Sequence, residues 1–208
     1  NFFFTVTMNH YILDFSTKKF KINLSFLLNT LFLIFFTFKN SFSFEINEVT
    51  EGFFVHFGQQ EDSNPKNNGD IANIGFIVGS KSIAVIDTGG TPEIGKRLLK
   101  KIKETSNLPI SHIIITHSHP DHFFGTEALV NEKVMIIGHE KLERALITNF
   151  EFYKNLQFNL IKQESIKKAR LILPNQKVKI GETKTINIGN REIEIKAWKS
   201  GHTDNDLS

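Results

Sequence analysis

The chain has 208 residues, 40% hydrophobic and 23% charged, which is long and apolar enough for one domain with a real core. Its net charge of +3 comes from lysines scattered along the chain, without the clustering that a nucleic-acid-binding stripe needs. It contains no cysteine, which excludes disulfides, thiolate metal ligands and a cysteine nucleophile while leaving the compartment open.

The chain starts at Asn1, and Met8 offers an internal start. Lys18, Lys19 and Lys21 then precede an uncharged run over 22–38 that is dominated by Leu, Phe and Ile. Ser41-Phe42-Ser43 follows, with small residues at its first and third positions. That order is the layout of a secretory signal. Cleavage after Ser43 would leave a mature chain from Phe44, periplasmic or secreted, so the expected organisation is 1–43 and 44–208. Membrane contact would then be confined to the signal segment. The alternative is an inner-membrane anchor over 22–38, at the lower limit of length and diluted by Asn23, Asn29 and Thr30.

Short strands are expected over 45–49 and 53–57, then a polar loop over 59–70 with Pro65 and Gly69. Apolar, β-branched runs over 71–78 and 82–86, divided by Gly79-Ser80-Lys81, predict a hairpin. Thr91 can cap a helix that has Pro92 in its first turn and runs to about residue 104, with Ile94, Leu98, Leu99 and Ile102 on one face. A strand over 112–115 follows Pro109, then a helix over 121–131 and a strand over 134–137. From Gly138-His139 the pattern is helical to about residue 169, in two pieces. Three strands close the chain, over 176–180, 183–188 and 192–198. Strands, then strand–helix units, then strands again describe a mixed α/β domain.

The chemistry concentrates in Thr116-His117-Ser118-His119-Pro120-Asp121-His122, directly after an apolar strand. On extended backbone, positions i and i+2 point to one side, so His117 and His119 can reach one metal together. Pro120 turns the chain, and Asp121 and His122 project from a helix start toward a neighbouring point. One short loop can thus serve two metal ions, the geometry of two-metal hydrolysis. Imidazole and carboxylate donors suit zinc. His56, His112 and His139 are expected to be structural, and Asp204 and Asp206 to line the site mouth or close a turn.

His-x-His-x-Asp-His after a strand resembles the metallo-β-lactamase superfamily, as do Asp87 in Val85-Ile86-Asp87-Thr88-Gly89, Gly125, and Gly201-His202-Thr203. The resemblance implies an αββα sandwich, of which these residues supply mainly the first half. It implies that His117, His119 and His202 bind one zinc and that Asp121 and His122 begin a second site. Asp87 would support the metal loop, and Asp121 would also position the nucleophile. The bridging Asp and last His of the superfamily have no counterpart before residue 208. The chain is therefore expected to be incomplete at its C-terminus and, made alone, to fold poorly and turn over little. Gly201-His202-Thr203-Asp204-Asn205-Asp206-Leu207, Ala197-Trp198, Gly138-His139-Glu140-Lys141-Leu142 and Phe152-Tyr153 are similar to one subgroup, the exported quinoprotein relay system zinc metallohydrolases.

The implied activity is hydrolysis of a small-molecule ester, thioester, amide or related substrate by a metal-bound hydroxide in the periplasm. Two readings stay open beside it. One is a redox enzyme on the same scaffold, with iron in place of zinc (manganese also suits the donors). The other is a non-enzymatic periplasmic accessory protein that partners a quinoprotein dehydrogenase system.

Overall fold

A computed structural model describes residues 13–15, 18–20 and 44–208. The chain divides into two compact units, Asn1–Ser43 and Phe44–Ser208. In the first, β1 (Leu13–Phe15) and β2 (Lys18–Phe20) form an antiparallel hairpin. The apolar run 22–38 and the Ser41-Phe42-Ser43 cleavage motif lie outside the described residues. Among the described residues, no helix is long and apolar enough to cross a membrane.

The second unit is built on a seven-stranded sheet in sequence order: β3 (Asn47–Thr50), β4 (Phe53–His56), β5 (Ile74–Val78), β6 (Ile83–Ile86), β7 (Ile110–Ile114), β8 (Met135–His139) and β9 (Gln176–Val178). Pairing is antiparallel as far as β6 and parallel from β6 to β9. The switch follows the connections. Short turns join β3 to β4 and β5 to β6, and a loop over 57–73 joins β4 to β5, whereas the parallel pairs need helical crossovers. These are α1 (Pro92–Thr105), the short α2 (Pro120–Phe123), and the pair α3 (Leu142–Ile161) and α4 (Glu164–Lys167). A separate antiparallel pair, β10 (Thr183–Asn187) and β11 (Glu192–Lys196), completes the unit.

The two-residue period of the strands sorts the apolar side chains into two cores. Phe76, Ile83, Val85, Ile113 and Ile136 face the helices and pack with Ile94, Leu98, Ile102, Leu142 and Leu146. Ile77, Ala84, Ile114 and Ile137 face the other way and pack with Ile186, Ile188 and Ile195. Helices on one face and a second strand layer on the other give the α–β–β part of the expected sandwich. The metal motif leaves the carboxyl end of β7 beside the end of β6, where open parallel sheets place ligands.

Several boundaries differ from expectation. The helix expected over 121–131 is only the four residues of α2, followed by a 3₁₀ turn, Thr126–Ala128. Gly125 stops it. Its nitrogen donates to the Gly89 carbonyl at 3.0 Å, and a Cβ there would collide with the Thr88 carbonyl oxygen. Gly138 and His139 extend β8 by pairing with Lys177 and Val178, so the long helix starts at Leu142. That helix breaks as expected, at Lys162, whose φ of 63° is left-handed.

Candidate metal centre

Asp87 organises the site. It follows β6 with a φ of 54°, a left-handed conformation that Asp tolerates better than most residues. Its side chain is almost fully buried and accepts three hydrogen bonds. Oδ1 takes the Thr116 backbone N–H at 2.8 Å, while Oδ2 takes the Thr116 hydroxyl at 2.7 Å and His122 Nδ1 at 2.7 Å. One carboxylate therefore ties the first and last residues of the histidine loop to the end of the neighbouring strand.

These bonds also set the ring tautomers. The Thr116 hydroxyl has one proton and gives it to Asp87, which can only accept. Its 3.0 Å contact with His117 Nδ1 must then be donated by the ring, leaving the Nε2 lone pair free. His122 Nδ1 likewise donates to Asp87 and turns Nε2 toward Asp121 Oδ2, 3.3 Å away. Outer hydrogen bonds of this kind hold metal-binding imidazoles in place.

Three imidazole nitrogens converge. His119 Nδ1 lies 3.1 Å from His117 Nε2 and 2.9 Å from His202 Nε2. The candidate ligand atoms of His117, His119 and His202 all lie within 4.8 Å of one another. His119 caps α2 with Pro120 behind it, so the turn that the proline imposes swings Asp121 and His122 past the trio. The His117 and His122 rings are 4.1 Å apart, which brings the two parts of the motif together.

The donor set fits a divalent metal. Burial, reinforced by the neighbouring imidazoles, pushes the His117 pKa down to about 4. Burial and His202 lower His119 as well. Both rings are better ligands for that, because metals bind the neutral imidazole. Burial opposes charge on His122 too, but the bonds to Asp121 and Asp87 outweigh it and raise its pKa to about 10. Taking a metal at His122 Nε2 therefore requires its proton to leave. Burial acts to raise the Asp121 pKa, yet His122 holds it below the usual carboxylate range.

His202 comes from a loop beyond β11 and is placed by several contacts. Leu207 N donates to the Thr116 carbonyl at 2.8 Å. Asn205 Nδ2 donates to Ser118 Oγ at 3.1 Å. Asp206 closes the turn by accepting from the Thr203 nitrogen and hydroxyl, and Asp204 is held by Arg144 at 2.6 Å. Neither Asp reaches the trio as a ligand. His139 is a brace, with Nε2 facing the Trp198 carbonyl at 3.0 Å and Nδ1 accepting from Lys141 N at 3.0 Å. His112 is buried against the Ser111 hydroxyl. His56 bridges Asp70 and the Glu45 carbonyl, both at 2.7 Å.

Residue patterns alone gave no role to Thr116, Ser118, Asn205 or Arg144. The Thr at the head of the motif was the available signal, since its hydroxyl stands one residue from the first ligand candidate.

The family model of the metallo-β-lactamase superfamily matches residues 67–205, a span holding Asp87, the histidine loop and His202. The chain belongs to that superfamily. Over 67 residues the superfamily member is 30% identical to a linear primary-alkylsulfatase of Pseudomonas sp., a stretch covering 32% of this chain and 13% of that enzyme. Over 64 residues it is 38% identical to an alkyl/aryl-sulfatase of Saccharomyces cerevisiae, covering 30% of this chain and 10% of the yeast protein. The aligned stretches thus span a small part of these curated relatives. Among solved structures, a metallo-β-lactamase from Pontibacter korlensis is similar with a TM-score of 0.57 and 18% identity, over 79% of this chain and 65% of that one. A stereoselective inverting sec-alkylsulfatase from Pseudomonas sp. is similar with a TM-score of 0.57 and 20% identity, over 78% of this chain and 28% of that one. At these identities the structural likeness shows the shared fold.

Proposed function

We propose that this protein is an exported, zinc-dependent hydrolase of small-molecule esters, thioesters, amides or related compounds, of the quinoprotein relay system subgroup. The observation that carries the reading is the convergence of His117, His119 and His202 nitrogens within 4.8 Å. His117, His119 and His202 would hold one zinc, and Asp121 and His122 would contribute to a second. Zinc bound there would supply Lewis acidity, the chemistry that activates water at neutral pH and polarises an ester oxygen.

The chain's own groups do the rest. Asp121, held as a carboxylate, accepts a hydrogen bond from the attacking water and aims it. Asp87 fixes the loop, so the ligands need little rearrangement when substrate binds. Sulfate esters belong in the substrate set because the named relatives are alkylsulfatases. In this reading the protein works in the periplasm, next to a quinoprotein dehydrogenase system.

The test is metal analysis of protein purified without added metal, with hydrolysis assays on 4-nitrophenyl acetate, 4-nitrophenyl sulfate, a thioester and a β-lactam. Zinc together with turnover of at least one substrate supports the proposal. Iron together with oxygen consumption would replace it with a redox enzyme. No turnover together with tight binding to a quinoprotein dehydrogenase would replace it with an accessory role.

A further inference from the structure

Helix α3 runs past the site, and its register is fixed by two contacts. Near its middle, the Phe150 ring packs 5.5 Å from Phe124 and 6.4 Å from Phe123, just after the histidine motif. Two turns later, Gln157 Nε2 donates to the Gly90 carbonyl at 3.3 Å. Gly90 itself lies against Asp121, since a Cβ built on it would sit 3.2 Å from the Asp121 Cα. Tyr153 lies three residues after Phe150 and four before Gln157, so it shares their helix face. That face is turned toward the segment carrying Asp121. The Tyr153 ring packs against the main core while remaining half-buried. Among the described residues, nothing hydrogen-bonds its hydroxyl.

A half-buried phenol on the helix face turned toward Asp121, with no hydrogen-bond partner among the described residues, is a donor waiting for an acceptor. Burial and the nearby Asp121 carboxylate both keep it protonated, so it offers a proton to share and no negative charge. We propose that the Tyr153 hydroxyl is a substrate-contacting hydrogen-bond donor, set at the mouth of the centre to grip an oxygen of the bound ester or of its carboxylate product. The proposal rests on the hydrolase reading above. It goes beyond that reading by assigning a substrate contact to a helix outside the motif.

The test uses the zinc-loaded protein and the variant Tyr153→Phe, which keeps the ring and its packing and removes only the hydroxyl. Four quantities are measured: zinc stoichiometry, melting temperature, acetate affinity by calorimetry, and kcat/KM on 4-nitrophenyl acetate. The expected result is unchanged zinc content and melting temperature, acetate binding weaker by about tenfold, and kcat/KM lower by about ten- to a hundredfold. A merely structural tyrosine would leave acetate affinity unmoved, because the ring stays. Equal acetate affinity in the two proteins, or no acetate binding by the wild type, overturns the proposal. Loss of zinc in the variant also overturns it, by making Tyr153 a support of the metal loop. Failure of the hydrolase reading shows separately, as wild-type protein that takes up no zinc or cleaves no ester.

Discussion

Replacing Asp87 by Asn tests how the histidine loop is held. Asn tolerates the left-handed backbone at this position, so the change probes hydrogen bonding more than strain. Its carbonyl oxygen can still accept the Thr116 backbone N–H. Its amide, however, faces the Thr116 hydroxyl and His122 Nδ1, both of which donate to Oδ2 at 2.7 Å. Bonds to a charged acceptor are each worth roughly 1.5–3 kcal/mol, and a rotated Thr116 hydroxyl recovers about 1 kcal/mol as a neutral bond. The net loss is about 3 kcal/mol, a fall in melting temperature of roughly 6–12 °C for a domain of this size. The amide also forces neutral His122 to accept at Nδ1 and carry its proton at Nε2, the atom proposed to bind metal. Zinc affinity should therefore fall by about 10–100-fold. Thermal unfolding followed by circular dichroism, with zinc titration against a chromogenic chelator, reads both. A melting temperature within about 2 °C of wild type, with zinc affinity within about twofold, would refute this account of Asp87.

Two further predictions concern the frame. Burial disfavours charge on His56, but its bonds to Asp70 and the Glu45 carbonyl prevail and raise its pKa above 6.5. The pair's contribution to stability is therefore fully present below about 6.5 and is lost as pH rises through the raised folded value. Urea midpoints measured upward from pH 6 should fall in wild type, and this part of the slope should vanish in His56→Gln. Gly125→Ala should cost about 3 kcal/mol, because its Cβ would meet backbone on both sides, the Thr88 carbonyl and Gly95. Gly181→Ala, at a φ of +85° with open space around it, should cost only about 1 kcal/mol; equal losses at the two glycines would contradict the packing argument.

Much of this architecture is visible in the sequence because it is written in short-range patterns. The two-residue period of Ile83–Ile86 and Ile110–Ile114 places alternate side chains in two cores. The spacing of His117, His119, Asp121 and His122 needs only an extended step and a proline turn. What escapes is set by distant partners. Gly125 ends α2 because Thr88 and Gly95 crowd it, and nothing within the 121–131 segment announces that. The support of His202 passes through Asn205–Ser118 and Arg144–Asp204, pairs separated by 87 and 60 residues. The Asp87–Thr116 link that orients His117 joins residues 29 apart and depends on a hydroxyl orientation that only the folded strands define.

The central claim is a metal centre on three convergent histidines, with His119 in the middle of the three. Its most direct test is zinc stoichiometry by equilibrium dialysis and elemental analysis, comparing wild type with His119→Ala. The account predicts at least one tightly bound zinc per wild-type chain and loss of that zinc in the variant, with folding retained. Zinc content that is the same in both proteins, or absent from both, would contradict it.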